Sequence, residues 1–586
     1  MSAHELITDH LDLWTQAVTQ KSTAGRGSNG KVELTGIKKL RELILELAVR
    51  GKLVEQDSDD EPAHQLLSKI ESEKSRLVAE KAIKKPKKLE ADSSTEPYSL
   101  PACWCWVRLG DVTNYGTTDK AEPKQIANDT WVLELEDIEK ESSKLLSKIR
   151  YTERQFKSSK NQFKQGDVLY GKLRPYLDKV LVADESGVCT TEIIPIRGYL
   201  GLLPEFLRLA LKSPRFKHYA NESTHGMNLP RLGTDKARSA MIPLAPEKEQ
   251  HRIVQKVDEL MALCDRLEQH TSDQLDAHAT LVDTLLVTLT QSANATELAD
   301  NWARLVEHFD TLFTTEQNIE KLKQTILQLA VMGRLVEQDA GDEPTKSLLD
   351  KIDQEITSLV KQGRIKKPKP VLQAADSDKF FEIPDAWQWV RLGSLALHSE
   401  AGWSPKCHDS PRENQSWAVL KVSAVTWGEF RPGENKELPA NLTPRSEYEV
   451  HPSDFLISRA NTSELVARSV VVPESAPTKL MMSDKIIRFV FSKQVEPMYL
   501  NLFNNSPFAR DYYLSVAGGT SSSMKNVSRA QIQTLLVPLP PLAEQHRIVQ
   551  KVDELMALCD RLKQRLTQAS NTRCQLAGAV VEDALN

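Results

Sequence analysis

The sequence predicts an α+β chain in which two mixed α/β domains are joined by long α-helices forming an antiparallel coiled-coil spacer, the whole built as an internal pseudo-twofold repeat. Three observations predict it. The segment EQHRIVQKVDELMALCDRL occurs twice, at Glu249–Leu267 and Glu544–Leu562, identical at all 19 positions and offset by 295. A second pair, ILELAVRGKLVEQD (Ile44–Asp57) and ILQLAVMGRLVEQD (Ile326–Asp339), lies upstream at an offset of 282. Between these shared frames sit two stretches, each roughly 140 to 150 residues long, that do not match one another.

Each half opens on a helical arm. Leu40, Leu43, Ile44, Leu47 and Ala48 fall on one face of a helix in the stretch 40–54, and Gly51 and Gly333 suit the left-handed residue that ends such helices. A second amphipathic segment follows, Leu66–Val78 in the first half and Leu348–Val360 in the second. The register holds through Asp60-Glu61-Pro62 and Asp342-Glu343-Pro344, then through IKKPK at Ile83–Lys87 and Ile365–Lys369. WCWVRLG (Trp104–Gly110) and WQWVRLG (Trp387–Gly393), offset by 283, then open the two inserts. These junctions divide the chain into 1–103, 104–245, 246–386, 387–541 and 542–586.

The inserts read as one mixed fold used twice. Strand-like runs are Trp131–Ile138 and Gly166–Leu173 in the first, and Trp417–Val425, Ser453–Ala460 and Ser469–Pro473 in the second. A helical stretch follows in each, Pro204–Tyr219 and around Pro497–Tyr513. Proline-rich leads, PLAPEK and PLPPLA, then enter the repeated helix. There Ile253, Val257, Leu260, Cys264 and Leu267, and their twins Ile548, Val552, Leu555, Cys559 and Leu562, alternate at spacings of four and three, the seam of a coiled coil. The seam residues are expected to pack the spacer helices, with Cys264 and Cys559 as small buried hydrophobes. If the first helix runs from Glu249 to about Ser292, it spans roughly 65 Å.

Several function classes are disfavoured. No apolar run reaches the roughly 18 residues of a membrane span, and the N-terminus lacks the pattern of a signal peptide, so a cytoplasmic protein is expected. Seven cysteines in so long a chain do not suggest a disulfide framework. Cys103 and Cys105 have no second pair at zinc-ligand spacing and correspond to Ala386 and Gln388 in the other half, so no metal site is expected. Neither a phosphate-binding G-x-x-x-x-G-K-[ST] loop nor an Asn-Pro-Pro-aromatic methyltransferase motif is present. His251 and His546 recur at the helix start, where a structural or exposed role outweighs a catalytic one. Glu134, Glu136, Asp137, Glu139 and Lys140 could be imagined as a metal-nuclease cluster, but no counterpart exists in the second half.

Charge gives a weak pointer to nucleic acid. The chain carries a net charge of -5, yet Trp104–Ala245 holds 22 Lys and Arg against 18 Asp and Glu, and Trp387–Leu542 holds 16 against 14. DNA-contact candidates lie in polar, glycine-bearing loops: Lys157, Lys160, Lys164, Lys172, Arg174, Asn228 and Arg231 in the first insert. In the second they are Arg459, Asn461, and Thr520, Ser521, Ser522, Lys525 and Asn526 of the stretch GGTSSSMKN, with Arg529 following. Short hydroxyl and amide groups beside Lys and Arg suit phosphate positioning, and Arg, Asn and Gln can read base edges with two hydrogen bonds.

Two variable domains, each opened by W-x-W-V-R-L-G and closed by a PLPP-x-x-EQ-type helix, resemble the specificity subunits of Type I restriction-modification enzymes. The stretch GGTSSSMKNVSRAQIQTLLVPLPPLAEQHRIVQKVDELM is similar to the end of a target recognition domain running into its conserved helix. The full helical arm ahead of the first recognition domain resembles the EcoAI-like layout. The first domain departs from the pattern, since HGMNLPRLGTDKARSAMIPLAP lacks the G-G-T-S-S-S run. The resemblance implies a non-catalytic chain. Each recognition domain would read one half of a bipartite, asymmetric site on double-stranded DNA, with the paired helices fixing the gap. Two modification and two restriction subunits would dock on the helical frame and carry the S-adenosylmethionine, ATP and Mg2+, leaving this chain without a cofactor. The competing expectation is a helical scaffold whose inserts bind proteins without DNA readout.

Overall fold

A computed structural model describes residues 7–20, 32–83, 96–226, 228–292, 295–367, 378–426, 428–519 and 524–585. The helices that position the site are, in chain order, α1 (Thr35–Val49), α2 (Ala63–Ala79), α3 (Pro204–Lys212), α4 (Pro214–Glu222), α5 (Glu247–Gln291), α6 (Glu316–Val331), α7 (Thr345–Lys361), α8 (Pro497–Asn505), α9 (Pro507–Val516) and α10 (Leu542–Leu585). The chain divides into two units, one comprising 1–275 with 568–586 and the other 276–567. Among the described residues no helix is long and apolar enough to cross a membrane.

In the first unit the arm α1 buries Leu40, Leu43, Ile44, Leu47 and Ala48, the face read from its spacing, and Gly51 follows it at φ +67°. Cys105–Arg108 pairs antiparallel with Met241–Leu244, so the opening and closing segments of the first insert lie side by side. Inside that clasp, Val168–Gly171 is the centre of a three-stranded antiparallel sheet between Ile193–Ile196 and Val180–Val182. A second sheet orders Lys120–Ala121, Lys160–Phe163, Gly187–Cys189 and Trp131–Leu133. Ile253, Val257, Leu260 and Cys264 of α5 are buried in one core with α1, α3 and the last turns of α10 around Ala577, and Leu267 packs at its edge.

The second unit repeats the plan. Gly333 follows α6 at φ +70°. Gln388–Arg391 clasps Leu536–Leu539, again antiparallel. Phe455–Ser458 lies between Ile486–Phe491 and Ser469–Val471, with Ala396–Ala401 at the far edge, and a smaller sheet joins Ala418–Leu420, Asn435–Glu437 and Leu480–Met481. Ile548, Val552, Cys559 and Leu562 of α10 are buried with Val282, Leu286 and Leu289 from the end of α5, while Leu555 packs partly buried beside them. Within the first unit the start of α5 shares a core with the end of α10, and within the second the end of α5 shares one with the start of α10.

Each seam also meets the arm of its own half. Arg41 of α1 pairs with Asp265 at 2.5 Å and Glu268 at 2.6 Å. In the second unit Lys323 of α6 pairs with Asp560 at 2.5 Å, and Glu320 with Lys563 at 3.0 Å. The 19-residue identity ends at Leu267 and Leu562. Charge reverses at the next position, Glu268 against Lys563, and the arm supplies the matching partner in each case.

Four expected segments are corrected. The runs Trp131–Ile138 and Trp417–Val425 are strands only over Trp131–Leu133 and Ala418–Leu420, each then tightening into a 3-10 turn. In the first, Glu134 and Asp137 form a reciprocal capping box that diverts the backbone from the ladder. The helical stretch Pro204–Tyr219 is two helices, as is Pro497–Tyr513. Pro214 and Pro507 lack an N–H and force the preceding Ser213 and Ser506 into extended backbone, so each proline starts a new helix instead of continuing the old one.

Candidate nucleic-acid interface

The frame that holds the inserts is built from the repeated Glu-Gln pair. Glu249, Gln250, Glu544 and Gln545 are all buried at the start of their helices. Trp104 Nε1 donates to Glu249 Oε2 at 2.9 Å, and Gln56 Nε2 to Glu249 Oε1 at 2.6 Å. The second unit repeats both bonds, Trp387 to Glu544 at 2.9 Å and Gln338 to Glu544 at 2.5 Å. One carboxylate therefore ties the arm, the insert's opening tryptophan and the long helix together. Burial pushes both carboxyls above their ordinary value, opposed by these hydrogen bonds. The adjacent glutamine fixes the approach to α3 or α8: Gln250 Oε1 accepts from Leu203 N–H and Gln545 Oε1 from Glu496 N–H, both at 2.9 Å. Next, Arg252 pairs with Asp60 and Arg547 with Asp342, both at 2.7 Å.

Each central strand emerges from this frame into a polar ledge. In the first insert Val168–Gly171 runs on into Lys172, whose N–H donates to Glu192 O at 2.9 Å and whose carbonyl accepts from Leu232 N–H at 3.0 Å. Leu173 bridges Arg231, and Arg174 N–H donates to Pro230 O at 2.7 Å. Arg174 takes a left-handed φ of +51°, which turns the chain outward. The short hairpin Thr224–His225 with Arg231–Leu232 completes the ledge. Lys172, Arg174, Asn228 and Arg231 are thereby gathered from segments more than fifty residues apart in sequence. Asn228 and Arg174 are exposed, and Arg231 is steadied by an ion pair with Glu192 at 3.1 Å.

The second insert builds the same ledge with other side chains. Phe455–Ser458 runs into Arg459, whose N–H donates to Lys485 O and whose carbonyl accepts from Val527 N–H, both at 2.9 Å. Ala460 and Asn461 pair with Asn526 and Lys525. The hydrogen bonds set the correspondence: Lys172 with Arg459, Arg174 with Asn461, Glu192 with Lys485, and Arg231 with Asn526. Even the turn before the strand recurs, with Lys164 N–H bonded to Asp167 Oδ2 at 2.8 Å and His451 N–H to Asp454 Oδ2 at 2.9 Å. Lys525 Nζ reaches back to Gly519 O at 2.7 Å, and Arg529 to Ser399 O at 3.0 Å. Thr520, Ser521 and Ser522 lie outside the described residues.

Lys160 does not belong to a surface that could meet a ligand. It is buried on the second sheet and ion-paired with Glu134, which removes its ammonium from solvent. Lys157 and Lys164 are exposed and flank in sequence the strand Lys160–Phe163 of the second sheet. The acidic residues once open to a nuclease reading are engaged structurally: Arg154 pairs with Asp137 and, at 3.3 Å, with Glu136. Sequence reasoning missed Glu192 and Lys485, because their place beside Lys172 and Arg459 comes from strand pairing and from no local motif.

A family model for the Type I restriction modification DNA specificity domain matches residues 101–277 and again 384–569, more than half of the chain. The chain belongs to this specificity family. The Escherichia coli Type I restriction enzyme EcoEI specificity subunit is 42% identical over the full length of both chains, and the Escherichia coli EcoAI specificity subunit 37% over the full length of both. A solved chain from a type I R-M system, described for complex assembly and conformational transition, aligns at a TM-score of 0.52 and 20% identity. It covers 84% of this chain and 99% of its own, and shows the shared fold. Membership gives the chain the DNA sequence-specificity role, with no catalysis of its own. In these terms each specificity domain is a clasped α/β insert held by a tryptophan-glutamate joint, and the side chains on its ledge differ from those on the other domain's.

Proposed function

We propose that the two ledges each read one half of a bipartite, asymmetric DNA site. One observation carries this reading: the same hydrogen-bonded ledge occurs in both domains, while Arg174 and Arg231 of the first stand where Asn461 and Asn526 stand in the second. A constant scaffold with exchanged polar tips is what two different half-sites require. Lys172 and Arg459, alike in charge at equivalent positions, fit phosphate contacts common to both halves. Arg231 suits a guanine edge and Asn526 an adenine edge. The long helices α5 and α10 fix the gap, about one turn of DNA or roughly 34 Å between centres. The buried apolar stripes of the seams, Ile253 to Leu267 and Ile548 to Leu562, are the packing that keeps this ruler stiff. Two modification subunits and two restriction subunits dock on the frame in the cytoplasm and supply S-adenosylmethionine, ATP and Mg2+.

The test is binding of the chain, in complex with its modification subunit, to duplex DNA across a range of salt. Neutralised phosphates release counterions, so affinity falls steeply as salt rises, and Lys172→Ala and Arg459→Ala each reduce the slope by about one. A salt-independent affinity, or slopes that neither substitution moves, would contradict the reading.

A further inference from the structure

The two hairpins that complete the ledges share one more feature. Counting back from the matched bonds of Leu232 and Val527, Pro230 corresponds to Lys525 and Leu229 to Met524. Leu229 is 44% exposed and Met524 49% exposed, and both stand among the large hydrophobic side chains that the fold leaves in solvent. Exposed hydrophobics scattered singly need no explanation. These two occupy the same backbone position in domains whose insert sequences differ.

The backbone on the opposite side of each hairpin is matched as well. Gly226 has φ +98°, and a Cβ there would stand 3.1 Å from Leu229 O. Gly519 has φ +121°, and a Cβ there would stand 2.6 Å from Met524 O. In both domains a left-handed glycine makes room for the carbonyl of the exposed apolar residue, although the second hairpin is two residues longer between these points. The fold exposes an apolar side chain at one backbone position twice, beside the same kind of glycine. The hairpin and strand pairs next to Leu229 carry Arg174, Asn228 and Arg231; those next to Met524 carry Asn461, Lys525 and Asn526. The charged and amide surroundings match a phosphate backbone and base edges, and the tip itself matches the apolar interior of a base stack.

We propose that Leu229 and Met524 are wedges, each entering a base step of its half-site and unstacking it. This deepens the reading of the ledges as DNA-contacting surfaces and rests on it. A partner that methylates a base must take that base out of the duplex, and a step already opened by a wedge lowers the cost of doing so.

The experiment uses the full chain with its modification subunit and a duplex carrying the mapped site, with 2-aminopurine placed in turn at each step of either half. Binding is followed by anisotropy and unstacking by 2-aminopurine fluorescence. The wild-type complex brightens one step in each half. Leu229→Ala abolishes the rise in the first domain's half alone, Met524→Ala in the other half alone. Each weakens binding about tenfold, equivalent to about 1.4 kcal/mol. Leu229→Ile keeps both the rise and the affinity. Tight, specific binding with no bright step, or a rise that survives both alanine substitutions, overturns the wedge and leaves the ledge reading standing. Loss of the modification subunit on Leu229→Ala, with no change in fluorescence per bound complex, would assign the tip to a protein contact and overturn the wedge too. Failure of the wild-type complex to prefer the mapped site would remove the ledge reading and the wedge with it.

Discussion

Replacing Glu249 by Gln tests whether the repeated carboxylate is the joint that holds each specificity domain on its helix. The wild-type side chain accepts Trp104 Nε1–H at 2.9 Å and Gln56 Nε2–H at 2.6 Å, in a fully buried position. Glutamine has the same shape but a single acceptor oxygen, so its NH2 group must face one of the two donors. One hydrogen bond to a charged group is lost, worth about 1.5–3 kcal/mol; with the oxygen kept on buried Trp104, the NH2 faces Gln56, whose side chain is exposed and can turn to water. Against this, the neutral amide avoids the desolvation that raises the Glu249 carboxyl. The net expectation is a loss of about 1–3 kcal/mol. Glu544→Gln is an internal replicate, since Trp387 and Gln338 bond it in the same way. The two joints lie in different units and share no partner, so the losses in urea denaturation should be similar and add in the double variant. A double variant as stable as wild type would refute the joint. So would a Glu249→Gln loss that Glu544→Gln does not reproduce.

The remaining predictions follow from the same geometry. Because burial raises both joint carboxyls, the folded chain binds more protons than the unfolded one above the ordinary carboxylate range. Their contribution to stability is present at acid pH and lost as pH rises through the raised values; in the Glu249→Gln, Glu544→Gln double variant, that component of the pH–stability curve should vanish. Gly51→Ala puts a Cβ 2.5 Å from Pro101 Cγ at φ +67°, and Gly333→Ala one 2.7 Å from Pro384 Cγ at φ +70°, so each should cost about 1–3 kcal/mol by thermal or urea unfolding. Inserting four residues between Leu267 and Leu285 lengthens α5 by about 6 Å. Methylated-site mapping should then report a changed gap with both half-site sequences intact, and altered half-sites would refute the ruler.

The frame was legible in the sequence because its determinants are local or repeated. The seam spacing, the glycine after each arm and the W-x-W-V-R-L-G opening all find their structural role in α5, α10, Gly51, Gly333 and the tryptophan-glutamate joint. The identical Glu-Gln pair announced itself by repetition, though its task of binding a distant tryptophan and an arm glutamine could not be read from spacing. The ledges were legible only as loops. Lys172 and Arg231 are brought together by non-local pairing, and nothing in the sequence states that Leu173 bridges Arg231. Lys160 illustrates the converse: its loop-like surroundings suggested exposure, but Glu134, distant in sequence, draws it inward. The Ser-Pro breaks at Pro214 and Pro507 were within reach of local reasoning, since proline cannot continue a helix.

The central claim is that two clasped domains of one chain read two different half-sites. It is tested most directly by single-base methylation mapping in cells expressing this chain with its cognate modification subunit, repeated after exchange of residues 104–245 for the corresponding domain of a relative. The account predicts a bipartite motif with dissimilar halves and a fixed gap, of which the exchange replaces one half and leaves the other half and the gap unchanged. An exchange that alters both halves, or no motif at all with the partner expressed and bound, would contradict it.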